Sequence, residues 1–301
     1  MCYENPDSNG LSARFSFPLK QRPALPFIRV IDESRGGVRS GITEEEPMAR
    51  RQPRRPSARA VGQLKKTVAL ATRILFHQGL ADYHGHVSAR VPGANRLLIK
   101  PVLAPLGSIR AKDIMEVDID DYMENCEANW ARAGNQKAVI DLKIPPRETM
   151  IHAAILQARP DVNSVVHTHQ PLATAFAIAG VPIRPIYNQA SAFAPETPIF
   201  HSPRLIYSLQ DGAELVATLS DRMAVLMQGH GMTTVGDCVE EATSHAVYLE
   251  RTAYMQWVAS SIGEAPSMPD RNIAIMGATN RGRAHHAFAY FAGLLPEDMK
   301  D

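Results

Sequence analysis

The segment Val165-Val166-His167-Thr168-His169 places two imidazoles one residue apart. In an extended strand alternate side chains share a face, so His167 and His169 project together, about 7 Å apart along the backbone. Two rings at that spacing can grip one divalent cation; without one, each buried ring needs its own hydrogen-bond partner. The His-x-His pattern is short, and a strand end with two incidental histidines explains it equally well. A third histidine weighs against coincidence. His230 stands between two glycines after the apolar run Ala224-Val225-Leu226-Met227, where a tight backbone can bring a side chain into a shared cleft. Three histidines with an open fourth position form a catalytic cation site more often than a structural one. Glu148 and His152 follow Pro145-Pro146 and are four residues apart, so they share one helix face. Glu148 can serve as acid or base beside the cation, although a carboxylate at a helix N-terminus is also favoured by the dipole alone. His152 reads as a supporting or core histidine.

These residues need a scaffold of strands and helices. Val61–Leu80 carries apolar residues at helical spacing and ends at Gly79. Short strands are expected at 86–90, 96–100, 164–169, 183–187 and 223–228, and helices at 148–158, 171–179, 212–220 and 238–262. The polar stretch 120–143 reads as a loop. Strands mixed with helices over about 200 residues fit one α/β domain, residues 59–263. The Pro- and Gly-interrupted segment 264–301 reads as a tail serving as a lid or interface arm.

Composition narrows the function. The chain has 301 residues, with 32 Lys+Arg against 31 Asp+Glu, and a net charge of +1. Such balance gives nucleic acid no electrostatic footing. There is no apolar run of the roughly 18 residues a membrane span needs. The three cysteines, Cys2, Cys126 and Cys238, lie far apart, so a reducing, cytoplasmic setting is expected. Residues 1–58 are rich in Pro, Arg, Ser and Gly, a composition that buries too little apolar surface to offset its ordering entropy, and they read as a flexible arm. Up to Arg59 there are 11 basic and 7 acidic side chains; contact with RNA or an acidic partner is the weaker alternative.

With those residues in hand, the chain resembles the class II aldolase/adducin family. The matching pieces are Gly85-His86-Val87-Ser88-Ala89-Arg90, Leu98-Ile99-Lys100-Pro101, Glu148-x-x-x-His152, Gln157 to His169, Gln228-Gly229-His230-Gly231 and the helix with Tyr248-Leu249-Glu250. They run in order over about residues 60–262. The resemblance implies a three-layer α/β/α domain with a central, mainly antiparallel sheet, commonly a homotetramer with sites at subunit interfaces. It implies that His167, His169 and His230 ligate the metal and that Glu148 is the catalytic carboxylate. Adducin-type members that do not catalyse lose metal histidines; all three are kept here. Sugar-phosphate aldolases of the family cradle phosphate with Asn, Thr-Gly and paired Ser at places that here read His86, Val102-Leu103 and Pro146-Arg147. The Gly-His-Val-Ser form is similar to the branch that decarboxylates hydroxy-aromatic, pyridine-dicarboxylate or carboxy-muconic semialdehyde compounds.

The expected protein is therefore a metal-dependent carbon–carbon lyase acting on a small carboxylate, with one divalent ion (Zn foremost, or Mn, Fe or Co). Glu148 or His86 returns a proton, and Arg147, Arg90, Lys100 and Ser88 are candidates to hold the substrate. The competing readings are an aldolase for a non-phosphorylated substrate, a non-heme iron oxygenase, and an adducin-like interaction module without catalysis.

Overall fold

The computed structural model describes residues 56–135, 137 and 143–300. The expected arm, residues 1–58, therefore lies outside the described residues except for its last three. Ser57 ends it by capping the first helix, its side chain accepting from the Ala60 N–H at 3.2 Å.

Seven strands form one sheet: β1 (His86–Arg90), β2 (Arg96–Ile99), β3 (Met115–Asp118), β4 (Ser164–Thr168), β5 (Ile199–Phe200), β6 (Ala224–Met227) and β7 (Gly231–Gly236), in the order β3-β2-β1-β4-β7-β6-β5. Only the β5–β6 pairing is parallel; the others are antiparallel. The described helices are α1 (Ala58–His77), α2 (Ile119–Glu124), α3 (Cys126–Gly134), α4 (Thr149–Ala158), α5 (Pro171–Ala179), α6 (Leu209–Leu219), α7 (Val239–Ile262), α8 (Asp270–Arg281) and α9 (Ala284–Gly293). None of the described helices is long and apolar enough to cross a membrane.

Strand alternation divides the core in two. Val87, Ala89, Leu98, Val166, Leu226 and Met232 pack with α1, α5, α7 and α9. Leu97, Ile99, Val165, Val225, Met227 and Val235 pack with α2, α4 and α6 on the other face. Period-two side chains on a sheet covered on both faces give this three-layer α/β/α arrangement. The same alternation puts His86 and Ser88 of β1, and His167 of β4, on the α4 face. His86 lies directly opposite His167 in the register, and His167 opposite Thr233.

Three expectations need correction. Residues 183–187 form no strand: Pro182 and Pro185 remove donors, and the segment bonds instead to Thr197, Gln256 and Met268. The stretch 120–143, expected as a loop, contains part of α2 and all of α3; its polarity reflects short helices that bury only Ile119, Tyr122, Cys126 and Ala133. The segment after 264 carries α8 and α9, and Phe288, Phe291 and Leu295 of this region join the α1/α7 core. Strand β7 had no expectation at all, because its terminal glycines read as turns while its interior is wholly buried.

Candidate active site

Four side chains converge at one end of the sheet. His167 comes from β4, His169 from the residue just beyond it, His230 from the β6–β7 turn, and Glu148 from the residue that precedes α4, its side chain making no cap hydrogen bond. The three imidazoles form a triangle with every pair of ring centroids 5.0 Å apart. Their nitrogens and a Glu148 oxygen lie within 4.8 Å of one another. The turn geometry depends on glycine. Gly229 has φ +70, a conformation L side chains rarely adopt. Gly231 packs so closely that a Cβ there would sit 2.5 Å from the Thr168 carbonyl oxygen and 2.7 Å from the His169 ring.

The donor set fits a divalent cation. His167 spends Nδ1 on the Thr233 hydroxyl at 3.2 Å, and its Nε2 faces His169 Nε2 at 3.1 Å. Both His230 nitrogens are buried, and neither has a hydrogen bond among the described residues. Buried ring nitrogens left unbonded are costly unless something else fills their lone pairs. Glu148 Oε2 lies 3.2 Å from His230 Nε2 and 4.0 Å from His167 Nε2. Its other oxygen accepts from the Ile206 N–H at 2.8 Å, so the carboxylate is pinned with one edge toward the triangle. Burial holds His167 well below its usual range, with His230 adding to the effect, and lowers His169 to about 4. Neutral imidazoles are the ligand form.

Beside this triangle opens a cavity of about 530 Å³, lined by residues including His86, Lys100, Val102, Leu103, Pro146, Arg147, Glu148, His169 and Leu205. That volume lies within the range of small-molecule sites. Lys100 is almost fully buried, its Nζ donating to the carbonyls of Pro101 and Val102 at 3.2 and 3.1 Å, and burial lowers it to about 8. The Arg147 guanidinium lies 3.8 Å over the Trp130 ring, which stacks on Tyr207. His86 Nδ1 meets His152 Nε2 at 2.7 Å, and His152 Nδ1 meets the Ser88 hydroxyl at 2.7 Å. Burial drops His152 to about 3 and holds His86 well below its usual range.

The structure therefore gathers His86, Lys100, Arg147, Glu148, His167, His169 and His230, and separates two other candidates. Arg90 sits at the far end of β1, where its guanidinium donates to the carbonyls of Leu156, Arg159 and Val162. It satisfies the C-terminal end of α4, a place where cations are favoured, and cannot reach the cavity. Ser88 is fully buried beneath His152 and does not line the cavity. Sequence reasoning passed over Thr233, the Ile206 amide, Trp130 and Leu205.

Residues 66–257 match the family described as class II aldolase and adducin N-terminal domain. The chain is 34% identical over 220 residues to a 3,4-dihydroxyphthalate decarboxylase of Arthrobacter keyseri, covering 70% of this chain and 84% of that one. It is 32% identical over 189 residues to a 5-methylthioribulose-1-phosphate/5-deoxyribulose-1-phosphate aldolase of Rhodospirillum rubrum, covering 62% and 76%. Among solved structures, an L-fuculose 1-phosphate aldolase from Glaciozyma antarctica PI12 shares the fold, with TM-score 0.65, 20% identity, and coverage of 82% of this chain and 96% of that one. With a family match spanning most of the described residues and a three-histidine triangle on the matching fold, the chain belongs to the class II aldolase and adducin family.

Proposed function

We propose that the protein is a carbon–carbon lyase that works with a divalent cation, and that its reaction is decarboxylation of a hydroxy-aromatic or related hydroxy/oxo carboxylate. The observation that carries this reading is the cavity lining. Val102, Leu103, Pro146 and Leu205 give apolar walls, and Lys100 and Arg147 give two cationic side chains, which matches a flat acid better than a sugar phosphate. The similarity to a decarboxylase of a hydroxylated aromatic acid supports the same conclusion.

His167, His169 and His230 would hold the divalent ion, which would supply Lewis acidity toward a substrate oxygen and so favour the charge left when CO2 departs. Arg147 presents a planar fork suited to a carboxylate, and its stacking on Trp130 fixes the plane of that fork. Lys100, just past the end of β2 and at the same end of the sheet as His86, adds charge and stays largely protonated at neutral pH. The apolar walls exclude water from the ring and strengthen both contacts. When the bond between ring carbon and carboxylate breaks, the carbon takes a proton in its place. Glu148 Oε2 takes that proton from the substrate hydroxyl and returns it to the carbon, leaving the product oxygen as the anion, while the Ile206 amide on Oε1 keeps the carboxylate aimed.

The test is CO2 release from a panel of hydroxy-aromatic carboxylates, together with metal analysis of the wild type and His167→Ala. About one ion per chain, lost in the variant, and CO2 from at least one substrate are expected. Release of an aldehyde without CO2 would make the enzyme an aldolase, and stoichiometric O2 uptake would make it an oxygenase. A protein that binds no divalent ion under any loading condition would end all three enzyme readings.

A further inference from the structure

The buried chain Ser88–His152–His86 contains two imidazoles whose proton positions are set by what surrounds them. His86 Nδ1 and His152 Nε2 are 2.7 Å apart, and so are His152 Nδ1 and Ser88 Oγ. Ser88 and His152 are both fully buried. His86 and His152 are buried, and their hydrogen bonds run to each other and to Ser88 with no carboxylate on either ring, so both are neutral and each carries one N–H and one bare nitrogen. Two orders of donation satisfy the contacts on paper. In one, His86 Nδ1–H donates to His152, and His152 Nδ1–H donates to Ser88. The Ser88 hydroxyl hydrogen then needs an acceptor of its own, and none is found among the described residues; the Ser164 hydroxyl is occupied in donating to the Ser88 carbonyl at 2.7 Å. A fully buried hydroxyl hydrogen without an acceptor is the arrangement proteins avoid. In the other order, Ser88 donates to His152 Nδ1, and His152 Nε2–H donates to His86 Nδ1. Every hydrogen inside the protein is then used, and one is left over, on His86 Nε2, at the edge of a ring that lines the cavity.

We propose that Ser88 and His152 lock His86 as the Nε2–H tautomer, making it a hydrogen-bond donor to an anionic oxygen of the substrate and barring it from the cation. His86 stacks on His167 with ring centroids 5.2 Å apart and is otherwise close enough to be taken for a fourth ligand. A ring nitrogen that carries hydrogen has no lone pair to give a metal. The lock also tells against His86 as the proton source, because a neutral donor that gave up Nε2–H would have to be refilled from a serine hydroxyl. His86 thus touches substrate by hydrogen bonding, and Ser88 and His152 are positioning residues. The tautomer stands independently of the reaction; its role toward substrate rests on the decarboxylase reading.

Long-range proton–nitrogen correlation spectra of the 15N-labelled full chain report which nitrogen of His86 is protonated. The expected wild-type spectrum has Nε2 protonated and Nδ1 bare. Ser88→Ala is expected to populate the Nδ1–H form of His86, and Ser88→Thr, which keeps the hydroxyl, to restore the wild-type spectrum. Protonated Nδ1 in the wild type, or an Ser88→Ala spectrum unchanged from it, would overturn the proposal. Zinc content gives a second reading. His86→Gln is expected to hold as much zinc as the wild type, whereas a fall to the level of His167→Ala would make His86 a ligand and overturn it. For any substrate that releases CO2, Ser88→Ala is expected to raise KM by about tenfold with little change in kcat, the size of one lost hydrogen bond to a charged group. Failure of every substrate to release CO2 would overturn the decarboxylase reading, while the spectra would still decide the tautomer.

Discussion

The two faces of the sheet use the same strands in opposite ways. On the α1/α7 face, Val87, Ala89 and Val166 share a largely apolar core with Ala242, Ala246 and Leu249. One residue along each strand, on the α4 face, stand His86, Ser88 and His167, with Thr233 beside them on β7. Away from that end, the α4 face returns to Val165, Val225 and Val235. The difference teaches that the site is only partly added from loops: His169, His230 and Glu148 come from the segments at that end of the sheet, while His86, Ser88 and His167 replace apolar positions of a half-core. The more apolar half-core opposite keeps the strands in register.

Substitutions on the two faces should therefore separate activity from stability. The largest effect is expected for His167→Ala: loss of the bound ion and a fall in kcat/KM of about three orders of magnitude, with the thermal midpoint of the metal-free protein barely moved. Metal analysis and calorimetry on the same samples would check both halves, and a variant that retained metal would break the contrast. Leu98→Ala, on the apolar face, should do the reverse, costing about 2–5 kcal/mol in a denaturant titration while the surviving folded fraction keeps its KM. Arg90→Ala is expected to cost about 1–3 kcal/mol by freeing the carbonyls at the end of α4, again without touching KM; a raised KM would return Arg90 to the substrate. The smallest effect concerns pH. Lys100 is lowered to about 8 by burial, so it is cationic below that pH and loses its charge above it. KM for an anionic substrate should rise as pH passes through about 8, by roughly tenfold at most. Lys100→Arg should carry the low-KM plateau beyond pH 9, and an unchanged profile in that variant would show that another group sets it.

The parts of the site readable in the sequence were those encoded locally. His167 and His169 announce themselves by period-two spacing, His230 by its glycines, and Glu148 by its place before a helix. The α/β class followed from strands and helices in mixture, and the three layers from the family resemblance that the order of the motifs carries. What escaped was set by distance or by backbone. The Ile206 amide that pins Glu148 is 58 residues away, and an N–H has no sequence signature. Arg90 was a candidate because its guanidinium fork suits a carboxylate, but a strand of five residues reaches from the cavity to the opposite end of α4. Ser88 shares a face with His86, yet α4 covers it, and only the packing of His152 shows that. Strand β7 was hidden because its glycines are used for close approach rather than for turning, Gly236 packing against Ala242.

The stack of Arg147 on Trp130 on Tyr207 also gives the molecule a built-in optical gauge. Trp130 and Trp257 are its two indoles, and Trp257 is 57% exposed on α7, away from the cavity lining. With Trp257→Phe, the emission left is that of a ring sandwiched directly beneath the guanidinium proposed above to hold the substrate carboxylate. Occupation of the cavity by a carboxylate becomes visible as light, in protein that has not turned over and needs no label.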